Sequence, residues 1–220
     1  MSRAKVWFFD LDGTLADTDA DIRLAWRSAL AAMGVDTEPF DRLFVAGPTL
    51  EEMARRMYPS IYSDAFAGEL RRRFGECYDR CGFPQTREYP GVLAAVRKLR
   101  ASGIRTFIAT NKRFAGAKAV ARRLGWEDAF EAIYAGDMRA DASGTGKMRK
   151  DALLAYAMSK IGAAAGECTM VGDTSGDFNA AKANGMRSIG VTWGYGTAEE
   201  LRQADSVVSG AAELLAGVEA

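Results

Sequence analysis

Histidine is missing from all 220 residues. Any mechanism that needs an imidazole base is therefore excluded, a Ser/His triad included. A nucleophile has to be a carboxylate, a thiolate or a metal-bound water. Cysteine is scarce as well. Cys77, Cys81 and Cys168 are an odd count and too few for a disulfide scaffold, which points to a reducing cytoplasm. Cys77 and Cys81 are spaced to share one helix face, but without a third and fourth ligand they read as packing residues rather than a zinc site. An excess of one charge sign is also lacking: 29 basic residues balance 29 acidic ones. Neither nucleic acid nor an anionic membrane is expected as a partner. No apolar run approaches the roughly 20 residues of a membrane span. The run Val6–Phe9 is too short for a secretory signal. With 48% apolar and 26% charged residues, what remains is an ordinary globular chain. Its length suits one large domain, or one domain with a small insertion.

The chain is organised around Val6-Trp7-Phe8-Phe9-Asp10-Leu11-Asp12-Gly13-Thr14-Leu15. Four β-branched or aromatic residues in a row predict a buried strand. Asp10 and Asp12 follow at its C-terminal end, and Asp12-Gly13 brings turn chemistry. In an open parallel sheet that end is where ligands bind. Two carboxylates this close repel one another unless a cation holds both ionised. Mg²⁺ does so with oxygen ligands alone. Taken alone, the stretch also fits a strand followed by an Asp-Gly turn, the less favoured of the two readings.

From residue 17 to about 85 the periodicity is helical. A first helix starts among Asp17, Thr18 and Asp19 and ends at Gly34. Thr49 and Glu52 fit a capping box. A further helix is expected from Ser63 to Cys81, closed by Gly82-Phe83-Pro84. From Tyr89 onward helix and strand alternate. Strands are predicted over 104–110, 132–136, 168–172, 187–192 and 206–208, with helices over 92–103, 115–124, 150–161 and 178–184 between them. The Gly-rich pieces at 143–146 and 190–196 read as loops. Strands separated by helices imply βαβ units and a parallel sheet. The predicted fold is α/β: a Rossmann-like parallel sheet core of residues 1–15 and 86–220, with a helical insertion of residues 16–85.

The notable polar residues fall at strand ends: Asp10 and Asp12, then Thr110 and Asn111, then Asp173 and Asp177. On one edge of a parallel sheet they converge. Four carboxylates together need compensation, and a divalent metal plus a lysine supply it. Thr110 adds a hydroxyl, and the turns add backbone N–H groups. Together these describe a site for a phosphoryl group. Each piece alone has an ordinary structural explanation; their conjunction in this order does not.

These motifs make the chain resemble the haloacid dehalogenase superfamily. Asp10-Leu11-Asp12-Gly13-Thr14 is similar to its first motif, Thr110-Asn111 to its second, a lysine before the 150–161 helix to its third, and Gly172-Asp173-Thr174-Ser175-Gly176-Asp177 to its fourth. The insertion resembles the small helical cap of the phosphoglycolate-phosphatase-like branch. Val45–Glu51, Tyr89-Pro90-Gly91-Val92 and Gly190–Gly196 are further likenesses. Many relatives have Lys-Pro-x-Pro at the third motif, whereas Lys147-Met148-Arg149-Lys150 has neither proline.

The resemblance implies Mg²⁺-dependent hydrolysis of a small phosphomonoester such as phosphoglycolate, a nucleotide or a sugar phosphate. Asp10 would attack phosphorus, and Asp12 would serve the leaving group as acid and the water as base. Thr110, Asn111, Gly13, Thr14 and a lysine would hold the phosphate. The metal would lie among Asp10, the Asp12 carbonyl and Asp173, with Asp177 supporting it or orienting the lysine, and the cap would close over the site. For the lysine, Lys147 matches the spacing to Asp151, but Lys150 opens a helix and is held by a rigid element, so Lys150 is the expected residue. A phosphosugar mutase, a dehalogenase and a non-catalytic phospho-acceptor module remain as alternatives. The dehalogenase is disfavoured because it has no need of Asp12.

Overall fold

The computed structural model describes residues 5–138 and 147–216; the expected loop at 143–146 lies outside them. Strand β1 (Val6–Phe9) is buried at every position, and β2 (Ala16–Asp17) follows the turn after it. Four helices come next: α1 (Asp19–Ala32), α2 (Glu38–Leu43), α3 (Leu50–Met57) and α4 (Asp64–Arg80). The chain then alternates: β3 (Arg87–Glu88), α5 (Val92–Ala101), β4 (Arg105–Thr110), α6 (Phe114–Arg123), β5 (Ile133–Ala135), α7 (Lys150–Ile161), β6 (Cys168–Gly172), α8 (Ser175–Ala183), β7 (Arg187–Val191), α9 (Ala198–Leu201) and β8 (Ser206–Val208). Among the described residues no helix is long and apolar enough to cross a membrane.

Two compact units emerge, residues 1–17 with 87–220, and residues 18–86. The first is built on a parallel sheet of order β5-β4-β1-β6-β7-β8. The central position of β1 explains its sequence. A strand with neighbours on both sides and helices on both faces offers no solvated face, so alternation disappears. Phe8 pairs with Phe107 on β4 and with Met170 on β6. Its ring stacks on Phe107 at 5.5 Å, and Tyr134 and α7 residues Leu153, Leu154 and Ala157 complete that core. Each such side chain contributes about 1.5–3 kcal/mol by leaving water. The chain runs outward from β1 through β4 to β5 and, on the other side, from β6 through β7 to β8. The carboxyl ends of β1, β4 and β6 therefore lie side by side.

The 18–86 unit is held by an aromatic core of its own. Trp26, Phe40, Phe44, Met53, Met57 and Leu70 are buried together, with Trp26 stacked on Phe40 at 5.8 Å. The capping box expected from Thr49 and Glu52 is formed: the Glu52 N–H donates to Thr49 Oγ1, and the Thr49 N–H to the Glu52 carboxylate. Asp21 is fully buried and accepts from the N–H groups of Gln85 and Thr86 and from the Thr86 hydroxyl, tying α1 to the last residues of the unit.

Some elements depart from the sequence expectation. The short helix α2 was not expected, nor were α9 and the two-residue strands β2 and β3; β2 and β3 pair antiparallel. Four residues or fewer carry no readable period, and in α2 only Phe40 is buried. Helix α8 starts at Ser175, three residues before the expected Phe178. Asp177 reaches back to the Thr174 N–H and hydroxyl, which organises the first turn earlier than the apolar pattern shows. Gly190 belongs to β7, as the expected strand 187–192 has it, so the Gly-rich loop starts only after Val191; Gly190 pairs with Gly172.

Candidate active site

Strand β1 delivers Asp10 to the sheet edge, where its N–H bonds the Val171 carbonyl of β6 at 2.9 Å. The chain then turns sharply. Gly13 lies at φ +82°, and a Cβ there would run into the Asp173 carboxylate and the Tyr195 ring. Both requirements select glycine. Gly172 has a different reason: a Cβ would strike Asp177, so only glycine lets α8 come this close to the end of β6.

Around this turn the acids and lysines sort themselves into two groups. In the first, Lys150 Nζ lies 2.8 Å from Asp10 Oδ1 and 2.9 Å from Asp177 Oδ1, with the lysine only 7% exposed. Asp173 is fully buried. It accepts from Thr14 Oγ1 at 3.1 Å and from the Tyr195 N–H at 2.7 Å. Asp10, Asp173 and Asp177 can each offer one carboxylate oxygen within 4.8 Å of the others. In the second group Lys112 Nζ lies 2.6 Å from Asp12 Oδ1. The Lys112 N–H donates to Thr110 Oγ1 at 3.1 Å, so the turn after β4 is closed on itself.

The electrostatics follow from burial. Loss of water pushes the Asp173 carboxyl up to about 8, with Asp177 and Asp10 adding to the rise and its two hydrogen bonds opposing it. Asp10 is pushed up to about 6, mainly by burial; Lys150 pulls it down while Asp177 and Asp12 push it up. Burial draws Lys150 down, but Asp10 and Asp177 outweigh this and raise it, so it stays an ammonium. With all three carboxylates ionised, one ammonium among them leaves two formal negative charges, a state that burial opposes by raising Asp10 and Asp173. A divalent cation with oxygen ligands matches both that charge and that donor set. The residues present fit such an ion.

Of the residues expected at the site, Asp10, Asp12, Gly13 and Thr14 follow β1, Thr110 ends β4 with Asn111 after it, Asp173 follows β6, and Lys150 and Asp177 lie in the first turns of α7 and α8. Asp10, Asp173 and Asp177 are brought together with Lys150. Lys147 is exposed, in contrast to the buried Lys150. Asp12 is not one of the three clustered acids; its carboxylate meets Lys112. Thr110 is buried beside the same lysine, and Asn111 is exposed. Thr14, expected at the phosphate, turns its hydroxyl to Asp173.

Three residues serve this site with no role assigned to them from the sequence, although Trp193 and Tyr195 lie in the Gly190–Gly196 likeness. Lys112 follows directly on Thr110-Asn111, and that position was the available signal. Tyr195 serves Asp173 through a backbone N–H, which no residue type announces. Trp193 anchors the turn, its indole N–H donating to the Thr14 carbonyl at 3.0 Å.

Comparison with known proteins identifies the family. The haloacid dehalogenase-like hydrolase family model matches residues 7–191. A 5'-nucleotidase of Pseudomonas aeruginosa is 32% identical over 88% of this chain and 85% of its own. A phosphoglycolate phosphatase of Colwellia psychrerythraea is 30% identical over 92% and 91%. The crystal structure of a predicted phosphatase from Clostridium acetobutylicum superposes with a TM-score of 0.86 at 26% identity, covering 99% of both chains. On the family match and these relatives, the chain belongs to the haloacid dehalogenase-like hydrolases, in their phosphoglycolate-phosphatase-like branch.

Proposed function

We propose that this hydrolase cleaves a small phosphomonoester with Mg²⁺ through a phosphorylated Asp10. The observation that carries the reading is the setting of Asp10: a carboxylate at the end of the central strand, one oxygen held by a buried lysine, beside two further buried acids. In the first step an Asp10 oxygen forms a bond to phosphorus, and the bond to the leaving oxygen breaks. The leaving oxygen takes the electron pair, and Asp12 gives it a proton. In the second step a water attacks phosphorus, Asp12 accepts its proton, and the bond to Asp10 breaks. Lys150, Thr110 and the Asn111 N–H hold the phosphate oxygens, where negative charge spreads in the transition state. Asp10, Asp173 and the Asp12 carbonyl would hold Mg²⁺, with Asp177 behind them. When bound, the ion would neutralise charge on the phosphoryl group.

The substrate class follows the relatives' activities. Phosphoglycolate and nucleoside monophosphates are the first candidates. The test is phosphate release from a panel of phosphorylated metabolites with excess EDTA and with added Mg²⁺. Release that depends on Mg²⁺ and gives one phosphate per substrate without a bisphosphate activator supports the reading. Full activity in EDTA refutes the metal, and dependence on a bisphosphate activator makes the chain a mutase.

A further inference from the structure

Lys112 has no part in the mechanism above, and its pairing with Asp12 is unusually placed. The Lys112 side chain is 7% exposed and that of Asp12 20%, so this is an ion pair mostly out of water. Such a pair recovers its desolvation cost only with good geometry, and is a poor means of stabilising a fold. The lysine comes from the turn after β4 and the acid from the turn after β1, one hundred positions away. Its own N–H bonds the Thr110 hydroxyl, so the backbone that carries it is fixed.

We propose that Lys112 is a positioning residue for Asp12: its ammonium donates to Oδ1 and thereby sets the carboxyl group so that the other oxygen carries the proton given to the leaving group in the first step and takes one back from water in the second. The inference rests on the acid role of Asp12 put forward above. Asp12 lies in the turn directly after β1, on backbone that Gly13 bends at a positive φ. A side chain on such a turn has rotamer freedom to lose. A proton donor misplaced by an ångström forfeits much of its value. Lys150 holds Asp10 from one side of the turn, and Lys112 holds Asp12 from the other. Each acid that acts on the substrate thus has its own buried ammonium. The division of labour explains why the cleft needs two lysines although the phosphate requires only one.

The test uses the Mg²⁺-loaded protein and compares kcat/KM for two substrates, an alkyl phosphate and p-nitrophenyl phosphate. This ratio reports the step in which the leaving group departs. Only the alkyl leaving group needs a proton. Asp12→Asn comes first: a loss confined to the alkyl phosphate establishes the acid role, and an equal loss on both removes it together with the inference. Lys112→Met should then lower kcat/KM for the alkyl phosphate by about 10²-fold, the usual worth of acid help, and change p-nitrophenyl phosphate less than about threefold. Lys112→Arg should recover most of the loss. Lys112→Met in the Asp12→Asn background should cost nothing further. An equal loss on both substrates, a change in KM alone, or an additive loss in the double variant would overturn the proposal and make Lys112 a substrate contact or a structural residue. Should Lys112→Met fail to fold, Lys112→Gln and Lys112→Arg provide the same comparison, and failure of all three to fold would also overturn it.

Discussion

Each unit contains one cation shared by two acids. In the sheet unit Lys150 sits 2.8 Å from Asp10 and 2.9 Å from Asp177. In the helical unit Arg72 sits 2.7 Å from Glu69 and 2.6 Å from Glu76. The distances hardly differ. The side-chain exposures do: 6% for the lysine and 51% for the arginine. The carboxylates respond with opposite signs. Hydrogen bonds from Arg72 and Arg73 hold Glu69 down to about 2, while burial carries Asp10 up to about 6 in spite of Lys150. Water therefore decides what an ion pair does. On the surface it lets the pair form at little gain. At the sheet edge its absence makes negative charge unfavourable, and the buried acids answer with raised proton affinity and a shared ammonium.

The sharpest way to break the comparison is at the buried pair. Asp10→Asn should abolish turnover while the circular dichroism spectrum stays native, because an amide keeps the shape and loses the nucleophile. Wild-type-like turnover would end the covalent mechanism. Lys150→Ala should lower kcat/KM by about 10²-fold, the typical loss of one preorganised charge contact. Lys147→Ala should stay near wild type. The reverse pattern would move the role to Lys147.

Stability gives the next contrast. Asp173 binds a proton in the folded chain up to about 8, whereas its ordinary value is 3.8. Between those values the folded state holds a proton that the unfolded state has released, so stability falls as pH rises. The metal-free protein should melt at a higher temperature near pH 5 than near pH 8. Asp173→Asn should flatten that slope while destroying activity, and Mg²⁺ should raise the melting temperature most at the upper end. An unchanged slope in Asp173→Asn would show that the acid is not strained by burial.

Asp21 offers a buried acid of the other kind, satisfied by the donors of Gln85 and Thr86 and with no role at the sheet edge. Its Asp21→Ala variant leaves those donors without an acceptor. A cost of about 1–3 kcal/mol is expected, which is a fall of several degrees in melting temperature. A neutral variant would mean that water replaces the carboxylate. At the surface, Arg72→Ala should leave both melting temperature and turnover within experimental scatter. A clear fall in melting temperature would show that the exposed network carries more than its solvation allows.

Local chemistry is legible in this sequence wherever one side chain acts on its neighbours. The apolar run of β1 reads as a buried strand, and the Thr49 and Glu52 pair fits a helix cap. The acids at 10, 12, 173 and 177 stood out because each follows a strand, and parallel strands bring their ends to one edge. Tertiary structure decided which side chains meet. Lys147 and Lys150 are three residues apart on the same approach to α7, yet the helix start buries one and leaves the other in solvent. Asp12 is claimed by Lys112 because β4 lies next to β1, and Asp173 is claimed by a backbone N–H of Tyr195 that carries no residue signature. Pattern and propensity act over a few residues. An ion pair in a dry cleft depends on strand order and on where water is excluded, and both belong to the folded chain as a whole.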